Sequence, residues 1–284
     1  MRTATESPHN PTMKGHQVGS EIIDFYSSTF DEAARLSSTG YGELELLRTQ
    51  ELLRRRLPPP PASVLDVGGG PGTHARWLAA DGYEVHLVDP VERHLCEART
   101  ACDCTTELGD ARALSAEDES YDAVLLLGPL YHLQERADRV QALREARRVL
   151  RPGAPLAVAA ISRHAELIDL AAAGRLTPAT TPVIQEVLAS GRHSREHGFT
   201  TAYFHSVPEL QTEVAEAGFT DVRVYGVEGP TWTVLKGIAV HTGTSLTGSP
   251  LVASALVAAR IAESDPALIP ASSHLMAFAR APGA

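Results

Sequence analysis

Long apolar runs are missing from this chain of 284 residues. No stretch approaches the roughly 18–20 uninterrupted apolar residues of a membrane span, so no membrane partner is expected. Runs of positive charge are missing too. Lys14 and Lys236 are the only lysines, and the formal net charge is −10. Nucleic-acid binders normally carry a basic patch, so a phosphate backbone is a poor partner for this chain. The densest basic cluster, Arg54-Arg55-Arg56, reads as a helix end, where positive charge is favoured. Cysteine is scarce: Cys96, Cys102 and Cys104 are too few and too clustered for a disulfide framework. With His94 they lack the C-x₂₋₄-C spacing of a zinc site. Free thiols in a reducing cytoplasm, and no metal, are the expectation. The polar opening has no apolar core of a signal peptide, and residues 1–20 read as a flexible tail.

What is present, 43% hydrophobic and 21% charged residues, is the composition of an ordinary globular domain. Residues 21–57 carry a helical pattern that Leu57-Pro58-Pro59-Pro60-Pro61 stops. Strands and helices then alternate. Ser63–Val67, Glu84–Val88, Thr105–Leu108, Ala123–Leu127 and Leu156–Ile161 read as strands. Thr73–Ala80, Arg93–Thr100 and Asp138–Leu150 read as helices between them. Such alternation implies a parallel sheet with helices on both faces. Residues 58–162 therefore form an α/β, Rossmann-like core. Residues 163–205 break the rhythm with two helices and read as an inserted cap. Residues 206–284 return to the core with helix Val207–Ala217, strand Asp221–Gly226, a mixed stretch Thr231–Ser249, helix Leu251–Ser264 and a closing strand His274–Ala279.

The stretch Val64-Leu65-Asp66-Val67-Gly68-Gly69-Gly70-Pro71-Gly72 carries the functional signal. Glycines after a buried strand let the backbone approach a ligand closely, and the following helix start attracts negative charge. Gly70 to Ala75 also satisfies the dinucleotide fingerprint, with Asp89 about 20 residues on. A nicotinamide-dependent oxidoreductase is thus one reading. Two features favour S-adenosylmethionine. Asp66 sits at the strand end, where a carboxylate repels a pyrophosphate but attracts an ammonium group. Carboxylates also close the next two strands: Asp89 is suited to ribose hydroxyls, and Asp110 to an adenine amine beside the Ala111 amide.

With these residues the chain resembles the class I S-adenosylmethionine-dependent methyltransferases. The match runs through VLDVGGGPG (Val64–Gly72), HLVDP (His86–Pro90), LGDARAL (Leu108–Leu114), YDAVLLLGPLYHL (Tyr121–Leu133) and LRPGAPL (Leu150–Leu156). It implies a seven-stranded sheet, six strands parallel and the last antiparallel between the fifth and sixth, with an N-terminal helical lid. GPLYHL, FTTAYFH (Phe199–His205) and VEGPTW (Val227–Trp232) are similar to the small-molecule, secondary-metabolite branch of that family. The expected cofactor contacts are Tyr26, Arg48, Asp66, Gly68, Gly70, Asp89, Pro90, Asp110, Ala111 and Leu127. Tyr131, His132, Tyr203 and Trp232 are the expected acceptor wall. His132, His205, Tyr131 or Tyr26 is the expected proton-handling group, since an unperturbed histidine near pKa 6.5 suits that task. His193 and His197 read as solvated. The expected partner is a small-molecule acceptor methylated on oxygen, nitrogen or an electron-rich aromatic carbon, such as an indole, with a homodimer or higher homo-oligomer left open. A non-catalytic protein that only binds the cofactor is the other alternative.

Overall fold

The computed structural model describes residues 35–194 and 200–283. Seven strands form one sheet: β1 (Ser63–Val67), β2 (Glu84–Asp89), β3 (Thr105–Leu108), β4 (Ala123–Leu126), β5 (Pro155–Ile161), β8 (Thr220–Gly226) and β9 (His274–Arg280). Their order is β3-β2-β1-β4-β5-β9-β8, with β9 antiparallel to both neighbours and every other pairing parallel. The central strands are buried on both faces, which is why Ala123–Leu126 reads as an unbroken apolar run.

Side chains alternate across the sheet. Leu65 and Val67 pack with α5 (Arg136–Val149) and α8 (Val207–Glu216) on one face. Val64 packs on the other with α1 (Gly40–Arg54), α2 (Thr73–Ala80) and α3 (Glu92–Ala101). Local sequence sets the helix ends. Thr39 caps α1 by accepting from Gly42 N–H, and Ser206 with Glu209 forms a reciprocal capping box on α8.

Three features differ from the sequence expectation. The mixed stretch after Thr231 contains a helix, α9 (Trp232–Thr242). Its interior Gly237 and β-branched residues weaken the helical signal, and tertiary contacts supply what propensity lacks. With α10 (Pro250–Ala262) it buries Trp232, Leu235, Val252 and Ala259 against Leu44 of α1. The cap contains two short helices, α6 (Ala165–Ala172) and α7 (Thr181–Ser190). It also contains a ribbon of β6 (Arg192–His193) with β7 (Ala202–Tyr203), too short to leave a periodic pattern. Finally, Cys102 and Cys104 are joined as a disulfide in the turn from α3 to β3, where their Cα atoms lie 5.5 Å apart. Cys96 is the free, exposed thiol.

A buried ion pair holds the cap side of the sheet. The Arg139 guanidinium donates to Glu213 at 2.6 and 2.9 Å, to the carbonyls of Leu133 and Gln134 at 2.9 and 2.8 Å, and lies 3.6 Å over the Tyr203 ring. Burial pushes the Glu213 carboxyl up, but donors on His205 and Arg139 outweigh it and hold the pKa at about 2. The group is therefore ionised throughout the physiological range, and its contribution is lost progressively as pH falls from the ordinary carboxylate range, near 4.5, through about 2. Glu213→Ala should lower the unfolding free energy by about 3–5 kcal/mol, because it strands a buried charge. Urea denaturation measures this, and a loss below about 1 kcal/mol would show that water reaches Arg139.

Candidate active site

A cavity of about 400 Å³ opens where β1, β2 and β4 end, at the point where strand order reverses. Open α/β sheets bind ligands at such switch points. Asp66, next to last in β1, is buried, and neither of its carboxylate oxygens has a hydrogen-bond partner. Burial, and then the nearby Asp89 charge, push its pKa up to about 7. The glycine turn leaves no room for side chains. A Cβ on Gly68, which has φ +71°, would stand 2.8 Å from the Pro129 ring, and one on Gly69 would stand 2.7 Å from Asp66 Oδ2.

Asp89 braces this turn. Its Oδ2 accepts from Gly70 N–H at 2.9 Å, while Oδ1 accepts from Val91 N–H at 2.9 Å and sits 3.1 Å from His94 Nδ1. Oδ2 is therefore the freer of the two oxygens. Asp110 is partly engaged: its Oδ1 accepts from the Arg112 amide at 2.9 Å, and Oδ2 accepts from the guanidinium at 2.6 Å. Gly70, Pro90, Ala111 and Leu127 complete this side of the cavity.

The other side is built by α4 (Pro129–His132), a single turn that begins directly after β4. It carries Tyr131 and His132 to the cavity, their rings edge to face with centroids 4.6 Å apart. Burial pushes the His132 pKa down to about 3. That removes the near-neutral basicity on which the sequence argument for a proton acceptor relied. Gln134 donates to the carbonyls of His193 and Ala202 at 3.0 and 3.3 Å, so both strands of the cap ribbon hang from the loop after α4. Thr201 of the cap reaches the cavity.

Four expected residues lie elsewhere. Arg48 is fully buried between α1 and α10, donating to Val227 O at 3.2 Å and pairing with Glu51 and Glu263 at 2.5 Å. Its fork is consumed by internal carboxylates. His205 is fully buried behind the cap, 3.2 Å from Glu213. Tyr203 packs between Arg139 and Arg163. Trp232 donates to Ala271 O at 3.0 Å from within the α9–α10 cluster. His193, read as solvated, is buried, stacked on Phe204 and 3.3 Å from Glu166. Tyr26 and His197 fall outside the described residues.

Sequence reasoning missed Arg35, His74, His94, Arg112, Gln134, Glu135 and Thr201 as cavity residues. His74 and His94 left a signal, standing two residues past the glycine turn and five past Asp89. Arg112 and Thr201 lie inside the LGDARAL and FTTAYFH motifs and Gln134 and Glu135 directly after YDAVLLLGPLYHL, whereas Arg35 arrives through tertiary packing alone. Among the described residues, Glu45, Glu228 and His274 form the one grouping with metal-ligand geometry. Arg35 pairs with Glu45 at 2.7 Å, and His274 Nδ1 lies 2.5 Å from Glu228. Burial lowers the His274 pKa, but the two carboxylates outweigh it and raise it to about 9. The ring is thus a charged donor, not a ligand.

Orphaned acceptors on Asp66, a half-free Asp89 and a partly open Asp110 line up along three adjacent strand tips. That donor-hungry row fits a molecule bearing ammonium, hydroxyl and amine groups in sequence. A family profile described as a methyltransferase domain matches residues 64–153. A ubiquinone/menaquinone biosynthesis C-methyltransferase of Paracoccus denitrificans is 31% identical over 195 residues, 64% of this chain and 74% of the relative. The chain belongs to the class I S-adenosylmethionine-dependent methyltransferases. A C-methyltransferase of the same name from Acidiphilium cryptum is 29% identical over 247 residues, 82% of this methyltransferase and 92% of its own length. An S-adenosylmethionine-dependent methyltransferase structure from Mesorhizobium loti shares the fold with a TM-score of 0.55 at 22% identity, covering 84% of this chain and 99% of its own. Family membership decides between the two cofactors: this methyltransferase uses S-adenosylmethionine. No helix among the described residues is long and apolar enough to cross a membrane.

Proposed function

We propose that this enzyme methylates a small, electron-rich metabolite, on oxygen, nitrogen or an activated aromatic carbon, in a biosynthetic pathway of the natural-product type. The observation that carries the reading is Asp66, a buried carboxylate with no partner at the mouth of the glycine turn. Leaving such a group unsatisfied is costly, and a ligand cation relieves the cost. Asp66 would hold the ammonium of the cofactor's amino-acid end, and Gly68 and Gly70 would let the backbone approach it. Asp89 would take a ribose hydroxyl through Oδ2. Asp110 and the Ala111 amide would face the adenine, with Pro90 and Leu127 against its faces.

When bound, S-adenosylmethionine supplies an electrophilic methyl group on a sulfonium centre. The protein's own part is placement. Tyr131 and His132 wall the acceptor, and Thr201, beside the cap ribbon hung from Gln134, lines the same cavity. Excluding water and fixing the reacting atoms is worth roughly 7–11 kcal/mol in favourable cases. The relatives are named for C-methylation in ubiquinone and menaquinone biosynthesis, which supports an oxygenated aromatic ring as one acceptor class. The cavity of about 400 Å³ and the net charge of −10 favour a free small molecule over a polyanion.

Two outcomes test this. Asp89→Ala should weaken S-adenosylmethionine binding at least tenfold, about 1.4 kcal/mol, by calorimetry. It should also cost about 1–3 kcal/mol of stability, because the Gly70 and Val91 amides lose their acceptor. Affinity within about twofold of wild type would sink the ribose assignment. The second is pH dependence. The free enzyme's Asp66 is protonated below about 7, whereas the cofactor's ammonium favours the carboxylate, so binding in that range releases a proton. Affinity should rise between pH 5.5 and 7, approaching tenfold per pH unit at the acid end. Asp66→Asn should bind more weakly with a flat profile; a flat profile in the wild type would contradict the assignment.

A further inference from the structure

One polar group on the cavity wall is used by neither the glycine turn nor the strand-tip carboxylates. His74 is the second residue of α2 and lines the cavity. One turn along the helix, the Trp77 indole Nε1–H donates to His74 Nδ1 at 3.2 Å, the two rings edge to face at 87°. An indole nitrogen donates and never accepts. Nδ1 therefore presents its lone pair to Trp77, and the neutral ring must carry its proton on Nε2. Burial, with Arg35 adding to it and Glu45 opposing it, pushes the His74 pKa down to about 4, so the neutral ring prevails at physiological pH. Among the described residues nothing accepts from Nε2.

We propose that His74 is the residue that selects the methyl acceptor: its Nε2–H, left as the ring's donor by the Trp77 contact at Nδ1, donates to an oxygen of a phenolate, enolate or carbonyl compound. The inference rests on the methyltransferase reading of the cavity and narrows its substrate class to oxygen-bearing acceptors. A protonated amine offers no lone pair to such a donor, and a neutral amine that spends its one lone pair there cannot attack the methyl group, whereas an oxyanion has lone pairs for both and makes the strongest hydrogen bond. The charged groups nearest to His74, Arg35 and Glu45, are paired with each other at 2.7 Å. A fixed N–H also favours the ionised form of a bound phenol, which makes its oxygen and ring carbons more nucleophilic without a strong base nearby.

The test uses the full chain loaded with S-adenosylhomocysteine and 4-nitrophenol as the oxygen probe, followed by its phenolate absorbance. Bound probe should titrate about one pH unit lower than free probe, a tenfold preference for the phenolate. His74→Phe should abolish that shift, and His74→Gln, which keeps an N–H, should retain most of it. Trp77→Phe should reduce it by releasing the tautomer. Nitrogen-15 spectra of the wild type should show His74 protonated on Nε2. S-adenosylhomocysteine affinity, measured by calorimetry, should stay within about threefold across the set. An unchanged shift in His74→Phe, no phenolate bound by the loaded wild type, or a proton on Nδ1 would each overturn the role of His74. Failure of the wild type to bind S-adenosylhomocysteine would instead remove the functional reading beneath it.

Discussion

Two carboxylates stand side by side at the tips of neighbouring parallel strands, and the protein treats them unequally. Asp89 receives two backbone donors and a histidine within 3.1 Å, while Asp66, equally buried, receives none. Like charges in a poorly solvated place cannot both ionise freely, and the one with fewer donors yields. The chain therefore folds around a hydrogen-bonding deficit at Asp66, which a donor or a positive charge placed at that position would relieve. Everything that shapes the cavity serves this juxtaposition. The β2-β1-β4 order sets the two tips together, Gly68 and Gly69 clear the space beside them, and Val91 and Gly70 hold Asp89 in place.

Arginine supplies much of the scaffolding around that site. Arg48 ties α1 to the end of α10, Arg139 ties α5 to α8 and to the loop after α4, and Arg163, just past β5, reaches Phe204 O in the cap and Glu209 of α8. A guanidinium can bond several groups in one plane while remaining charged, which a lysine ammonium does less well. In a chain with two lysines, such residues act as internal connectors between helical layers. Arg139 matters most for the site, because the carbonyls it grips belong to Leu133 and Gln134, and Gln134 in turn carries the cap ribbon.

What could be read from the residues is what short-range patterns determine. Strand positions follow from apolar runs such as Ala123–Leu126, helix ends from Thr39, Ser206 and the prolines, and the Asp66, Asp89 and Asp110 row from carboxylates ending successive strands. The antiparallel place of β9 came only from family resemblance, because periodicity carries no strand order. Arg48, Tyr203, His205 and Trp232 were misplaced for one common reason. Each is a chemically versatile side chain near a motif, and only three-dimensional packing shows that it is buried away from the cavity. His74 was overlooked for the converse reason: nothing in sequence shows that Trp77 has fixed its tautomer.

His132 shows why the chemistry here must be argued from placement. With its pKa near 3, the imidazole is neutral but holds a proton weakly. A phenol with an ordinary pKa of about 10 would give it a proton against some seven powers of ten. A cavity that relied on that transfer would be slow. Lowering the cost of the acceptor's own ionisation and holding it against the methyl group require no strong base. Both fit a wall made of neutral rings and a fixed donor. Burial that weakens His132 as a base also strengthens every hydrogen bond made within the same space. The loss in one role is thus a gain in the other.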